Sequence, residues 1–314
     1  MRRKLWHVKE LIDSTSLVDD PESLRARLGA HGYLFFRELL PIGLVGDACT
    51  EVTSALAEGG WTDSAGVPVA GGRALNVADA VRDPAYLAAA TGVAVNRIPY
   101  IPQLREVVRT LLGGDAFSYP VKVLRAVHPE VEGEVLRGRY IHQDYAVAQV
   151  CDLLTTWVPL MRIPVSGGGL AVLPGSNLGG PLPAQLLSAD HFEWATTDYS
   201  PGDVVLFHCL TSHAALPNRS DRLRLSQDSR WQSADQAAPG RMIYGPGEVG
   251  RGEALSRVLC YQPWWEPVPS RLVILDGDGG VGGDGGSSGG VPWSRFFTVH
   301  PGWAGWRGGG EVVH

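Results

Sequence analysis

The sequence lacks any apolar run approaching the roughly 18–20 residues needed to span a bilayer, which argues against an integral helical membrane protein. It also lacks a basic surplus. Its 27 Lys and Arg face 33 Asp and Glu for a net charge of −6, the wrong balance for displacing counterions from nucleic acid. Lysine is nearly absent, at Lys4, Lys9 and Lys122 alone, a bias that reads as a GC-rich genome rather than a functional signal. Only four cysteines occur, Cys49, Cys151, Cys209 and Cys260, and no pair has CxxC spacing. They read as buried thiols of a cytoplasmic protein, not as a disulfide frame or zinc knuckle. The basic start Met1-Arg2-Arg3-Lys4 runs into His7, Lys9 and Glu10 instead of an apolar stretch, so no signal peptide is expected. HExxH is missing, and Gly167-Gly168-Gly169 leads into an apolar strand with no helix start or Lys-Ser/Thr behind it, so it is a turn and not a phosphate cradle.

What is present fits one domain over 1–314, with 40 glycines and 22 prolines demanding many turns and short strands. The helical signals lie early. Asp20-Pro21-Glu22 supplies a cap, a Pro at the first helical position and an acid in the first turn. Further helices are expected over Ile42 to Ala57, Ala74 to Ala90 and Pro102 to Leu112, with Tyr33–Phe36 a short strand. From Ser118 onward the texture is strand and turn. Ser118–Val127, Tyr140–Val150, Leu153–Leu160, Leu170–Leu173, Asp203–Cys209 and Arg222–Trp231 are each strand-length. The expectation is α+β, mainly β: one curved sandwich or barrel over 118–235, supported by mostly helical residues 1–117. A Gly-rich loop over 276–290 cannot supply a core, and the Trp- and Phe-bearing tail at 291–314 is expected to dock on the main body.

The chemistry concentrates in Tyr140-Ile141-His142-Gln143-Asp144-Tyr145. His-x-Asp alone arises by chance about once in two such chains. On a strand, however, His142 and Asp144 would share a face and could meet one ion, with Gln143 pointing the other way. The segment Pro201–His213 then offers two candidate third ligands, His208 and His213. Two imidazoles and a carboxylate leave three adjacent positions open on an octahedral metal, which suits non-haem Fe(II) binding a cosubstrate and O₂ together. Eleven residues past His213 lies Arg224, with Ser226 two further on. A guanidinium with a neighbouring hydroxyl matches the far carboxylate of a 2-oxo diacid. Arg222 and Arg230 are rivals on the same expected strand.

These pieces resemble the phytanoyl-CoA dioxygenase-like branch of the Fe(II)/2-oxoglutarate-dependent oxygenases. The matching motifs are HQD at 142–144, TTWVPL at 155–160, GGGLAVLPGSN at 167–177, PGDVVLFHCLTSHAALPNRSDRLRLS at 201–226 and SRW at 229–231. The likeness covers roughly 30–235 and is specific after 140. It implies a double-stranded β-helix, the jelly roll of cupin-like proteins, with His142, Asp144 and His213 as metal ligands and Arg224 on the 2-oxoglutarate C5 carboxylate. It makes Ser226 and Trp157 neighbours of the cosubstrate. Its spacing favours His213 over His208 and Arg224 over Arg222 and Arg230. Asn177 departs from it, standing where the family usually has His after Pro-Gly-Ser.

The implied activity is hydroxylation of an unactivated C–H bond of a small metabolite, with 2-oxoglutarate and O₂ converted to succinate and CO₂. No catalytic side chain beyond the metal ligands is expected. Desaturation, cyclisation and epoxidation share the same site, while Asp144 argues against a halogenase, which needs a small residue there. A non-catalytic jelly roll that binds 2-oxoglutarate and metal is the alternative of another class, and a zinc hydrolase would leave Arg224 and Ser226 without a role. No basic cluster suits a CoA phosphate, so specialised metabolism is the expected setting. Candidate substrate-side residues are Trp61, Arg73, Arg97, Tyr100, His191, Phe192 and Trp194, with Lys122, Tyr140 and Tyr145 at the mouth, and structural packing is the competing reading of each. Asp152 reads as a turn or edge residue, and His7, His31, His128, His300 and His314 as surface or structural.

Overall fold

The helix starts written in the sequence are realised in a computed structural model, which describes residues 8–63, 67–69, 83–120, 122–130, 141–148, 150–181, 193–239 and 269–275. Asp20 caps α1 (Pro21–His31) by accepting from the Ser23 amide at 3.1 Å. Gly32, at φ 78°, ends that helix with its amide on the Leu28 carbonyl at 2.7 Å. α2 (Ile42–Glu58) stops at Gly59, one residue later than expected. α3 spans Pro84–Ala90 only, because the Asp83 carboxylate caps it through the Ala85 and Tyr86 amides at 2.9 and 3.1 Å. The earlier part of the helix expected from Ala74 lies outside the described residues. α4 (Val93–Arg97) and α5 (Pro102–Leu112) complete this layer, the latter with the boundaries read from sequence. Among the described residues, no helix is long and apolar enough to cross a membrane.

The strands, in chain order, are β1 (Val8–Glu10), β2 (Tyr33–Phe36), β3 (Ala116–Ser118), β4 (Val123–Val127), β5 (Leu154–Pro159), β6 (Leu170–Val172), β7 (Trp194–Thr196), β8 (Val204–His208), β9 (His213–Ala215), β10 (Arg224–Ser233), β11 (Ala238–Pro239) and β12 (Ile274–Leu275). The larger sheet runs β2-β8-β5-β10, and the free side of β10 pairs with both β3 and β4. The smaller runs β1-β7-β6-β9, and β11 and β12 form a separate parallel pair. This is a sheet-rich α+β architecture of the expected jelly-roll kind.

Period-two alternation divides the larger sheet between two environments. Leu154, Val158, Leu206, Leu225 and Trp231 share a core with the helices. The alternate residues Trp157, Val205 and Phe207 face the smaller sheet and pack with its Leu170, Val172 and Ala195. On β10 this phase turns Arg224, Ser226, Asp228 and Arg230 toward the barrel interior.

Three expectations need correction. The run Ser118–Val127 is two strands, β3 and β4, paired with successive parts of β10. The described residues of the expected strand Tyr140–Val150 do not form one: His142 makes an isolated bridge to His213, and after Asp144 the chain turns into α6 (Tyr145–Ala148). β10 begins at Arg224, leaving Arg222 exposed ahead of it. Residues 276–290 and 291–314 lie outside the described part of the chain.

Gly32 ties the helical layer to the barrel end that carries His213. A Cβ there would come within 2.5 Å of both Asn177 Oδ1 and Thr211 Oγ1, on a backbone that already disfavours a side chain. Gly32→Ala is therefore expected to destabilise the fold by at least about 2 kcal/mol in urea unfolding.

Candidate metal centre

Two backbone hydrogen bonds join the two histidines: His142 N to His213 O at 3.1 Å and His213 N to His142 O at 2.9 Å. Their rings come to 4.3 Å between centroids. The turn after Asp144 closes with Ala148 N on Asp144 O at 2.9 Å and Tyr145 N on Cys209 O at 3.0 Å. Asp144 Oδ1 thereby lies 3.6 Å from His142 Nε2 and 3.8 Å from His213 Nε2. Metal–ligand bonds of about 2.0–2.2 Å allow donors on one ion to be as far as ~4.4 Å apart, so both separations fit a shared cation. Gln143 points the other way, as alternation expects, and its Nε2 donates to the Gly180 and Leu210 carbonyls at 3.0 and 2.6 Å. The side-chain geometry expected of a strand thus survives in a bridge and turn.

His213 is held by the turn from β8 to β9. Its Nδ1 lies 3.0 Å from the Thr211 carbonyl, an oxygen that can only accept. The proton is therefore on Nδ1, and the Nε2 lone pair faces Asp144. Burial lowers the His213 pKa to about 4, despite the neighbouring Asp144 charge, so the imidazole is neutral and able to donate its lone pair at neutral pH.

Asp144 is 2% exposed. Burial opposes its charge but is overruled, chiefly by the Arg230 guanidinium and also by the Thr155 hydroxyl, which hold its carboxyl well below the usual range. Thr155 Oγ1 donates to Oδ2 at 2.6 Å, and Arg230 approaches Oδ2 through Nε at 3.2 Å and Oδ1 through Nη2 at 3.3 Å. Arg230 is thus engaged by Asp144 and is not available as a carboxylate anchor.

Arg224 occupies the same inner face at the other end of β10. Nη1 donates to Ser226 Oγ at 2.7 Å, while Nε, though buried, has no hydrogen-bond partner among the described residues. Burial pulls its pKa down to about 10, partly offset by Asp228, which leaves it cationic at neutral pH. A buried cation with unmatched donors calls for an anion. The far carboxylate of 2-oxoglutarate fits that need, as the neutral-imidazole and carboxylate donor set fits ferrous iron. Trp157 stands on this inner face opposite Asp228 in register and packs on Tyr199 at 4.7 Å.

The other candidates separate clearly. His208 is fully buried, accepts from the Leu210 amide through Nδ1 at 3.2 Å and faces Asp152 at 3.7 Å, so it braces the turn that carries His213. Asp152 lies in the turn before β5, as expected, and is buried there as the partner of His208. Lys122, expected near the mouth, is buried with its Nζ on the Tyr100 hydroxyl and the Tyr119 carbonyl, both at 3.0 Å. Trp194 is fully buried in a cluster with Ala171, Leu173 and Leu216. Trp61 stacks on Tyr86 at 6.0 Å and meets His128 at 5.5 Å. Arg97 is exposed at the end of α4, His31 sits beside Tyr33, and Tyr145 is half-buried in α6. Asn177 is structural, with Nδ2 on the Gly29 carbonyl at 2.8 Å. His7, Arg73, Tyr140, His191, Phe192, His300 and His314 lie outside the described residues. Sequence reasoning missed Thr155, and it missed the Arg125–Asp228 ion pair at 2.8 Å. Alternation counted onward from Arg224 would have placed Asp228 in the interior.

The model of the phytanoyl-CoA dioxygenase (PhyH) family matches residues 31–226, well over half of the sequence. The chain belongs to the PhyH family. Relatives include the 1-deoxypentalenic acid 11-beta-hydroxylase of Streptomyces exfoliatus, 26% identical over 256 residues covering 72% of this chain and 86% of that one. The enzyme of the same name from Streptomyces arenae is 27% identical over 252 residues, with 71% and 84% covered. Solved structures of like fold include the non-haem alpha-ketoglutarate-dependent epimerase SnoN from nogalamycin biosynthesis (TM-score 0.51, 22% identity, 69% of this chain and 84% of that one). EctD from S. alaskensis with bound Fe is another (TM-score 0.51, 18% identity, 87% and 92% covered). This PhyH chain is a 2-oxoglutarate-dependent non-haem iron oxygenase, using Fe(II), 2-oxoglutarate and O₂.

His208→Ala removes a buried ring and the acceptor of the Leu210 amide. It is expected to destabilise the protein by about 2–4 kcal/mol, measured as a lowered urea midpoint at unchanged slope.

Proposed function

We propose that His142, Asp144 and His213 hold the ferrous ion, that Arg224 with Ser226 anchors the C5 carboxylate of 2-oxoglutarate, and that Trp157 walls the cosubstrate. The reaction proposed is hydroxylation of an unactivated C–H bond in a small specialised metabolite. The observation that carries the ligand assignment is the convergence of Asp144 Oδ1 on two histidine Nε2 atoms, in the one group of metal-ligating side chains found among the described residues. Support for the substrate class comes from the relatives, whose names state hydroxylation of 1-deoxypentalenic acid.

When bound, iron with 2-oxoglutarate and O₂ supplies the oxidising power: the cosubstrate leaves as succinate and CO₂, and one oxygen atom enters the substrate. The chain's own residues bind, orient and exclude water. His213 keeps its proton on Nδ1 through Thr211, so its other nitrogen stays a donor toward the metal. Arg224 fixes the far end of the cosubstrate, which leaves only its 2-oxo acid end to reach the metal. Phe207 lies 4.5 Å from the His213 ring and, with Val172 and Trp157, lines the interior with apolar surface that keeps water from the reacting carbon.

Two substitutions test this. Arg224→Met is expected to raise the KM for 2-oxoglutarate by about 100-fold or more, because it removes a buried charge-assisted pair. Asp144→Ala is expected to abolish substrate-coupled succinate formation, read by succinate quantification. Normal turnover in the Asp144 variant would refute the ligand assignment.

A further inference from the structure

Arg230 leaves the inner face of β10 six residues after Arg224 and ends on Asp144, a contact with no part in the function proposed above. Arg230 and Thr155 are directly opposite one another in the β10–β5 register. That single cross-strand pair delivers two donors to the same oxygen, the Thr155 hydroxyl at 2.6 Å and Arg230 Nε at 3.2 Å from Oδ2. The second arm of the guanidinium, Nη2, reaches Oδ1 at 3.3 Å, so the fork straddles the carboxylate. Among the described residues, Asp144 is the acceptor of every side-chain hydrogen bond that Arg230 makes.

We propose that Arg230, with Thr155, is a positioning residue that restricts Asp144 to one metal donor, Oδ1. The inference rests on the ligand assignment proposed above. A free carboxylate can grip a cation through one oxygen or both. Two histidines and one carboxylate oxygen leave three of six positions, and 2-oxoglutarate with O₂ needs all three. A second bond from Oδ2 would take one of them. Oδ2 is instead occupied by two protein donors, and its orientation is fixed by a planar fork that a lysine ammonium cannot reproduce. The sequence offered Arg230 as a rival anchor for the cosubstrate carboxylate; its engagement with Asp144 gives it this different task.

The test is anaerobic titration of the full-length chain with Fe(II), with and without 2-oxoglutarate, in wild type, Arg230→Lys, Arg230→Met and Thr155→Val. Fe(II) dissociation constants are read by calorimetry, and the cosubstrate complex by its visible charge-transfer absorption. Both Arg230 variants are expected to bind Fe(II) about 10- to 100-fold more weakly, with the absorption band displaced or lost. Thr155→Val is expected to move both readouts in the same direction by less. Urea midpoints identify any variant that fails to fold, and Thr155→Val with Arg230→Lys then carries the test. An Arg230→Lys protein with the wild-type constant and band overturns the proposal, even if its stability falls, because charge without the fork would suffice. Unimpaired formation of the 2-oxoglutarate complex by Arg230→Met overturns it as well, since a freed Oδ2 would then not be competing for a metal position. A wild type that yields no band refutes the ligand assignment itself and is thereby told apart from failure of the Arg230 inference.

Discussion

One buried carboxylate organises this molecule. Taking the Asp144 charge out of water costs several kcal/mol unless it is matched by partners. The chain matches it with a hydroxyl on Oδ2 and a guanidinium across both oxygens, while two imidazoles lie near Oδ1. Two of these neighbours, His213 and Arg230, come from distant parts of the sequence. The metal-binding geometry and the closure of the barrel are therefore one constraint, since neither the cage nor the charge is stable without the strands that carry the partners.

β10 gives that constraint its reach. Its outward residues, Leu225 and Trp231, join the core beneath the helices. Its inward residues form a polar row from Arg224 to Arg230. The row reads Arg224, Ser226, Asp228 and Arg230, with Asp228 paired to Arg125 and Arg230 to Asp144. Among the described residues, Arg224 alone of these arginines meets no carboxylate, and its buried Nε has no partner. Its electrostatic satisfaction is left to a ligand. That is the physical reason for placing the diacid cosubstrate at this end, independent of the resemblance that first suggested it.

Much of this was legible in the sequence, for reasons that differ by element. α1, α2 and α5 were readable because Asp20, Pro102, Gly32 and Gly59 carry local start and stop chemistry. β5, β8 and β10 were readable because apolar runs between turn residues leave few alternatives. The setting of His142 and Asp144 was not: an i, i+2 pair looks alike on a strand and in a bridge that breaks into a turn, and here the turn is held by the Cys209, Gly180 and Leu210 carbonyls, distant contacts with no local signal. Lys122, Asp152 and Trp194, each of which the sequence also allowed a structural role, could not be settled for a related reason. Each is polar or amphipathic, and only tertiary partners far along the chain reveal that it is buried. Arg230 was recognised as facing inward, but what it meets there depended on where the Asp144 turn settled.

The most direct measurement is anomalous diffraction at the iron edge from crystals of the full-length protein grown anaerobically with Fe(II) and 2-oxoglutarate. The account predicts a single strong peak within bonding distance of His142 Nε2, Asp144 Oδ1 and His213 Nε2, with the C5 carboxylate of 2-oxoglutarate on Arg224. A peak bonded to His208 instead, or a cosubstrate carboxylate seated away from Arg224, would contradict it.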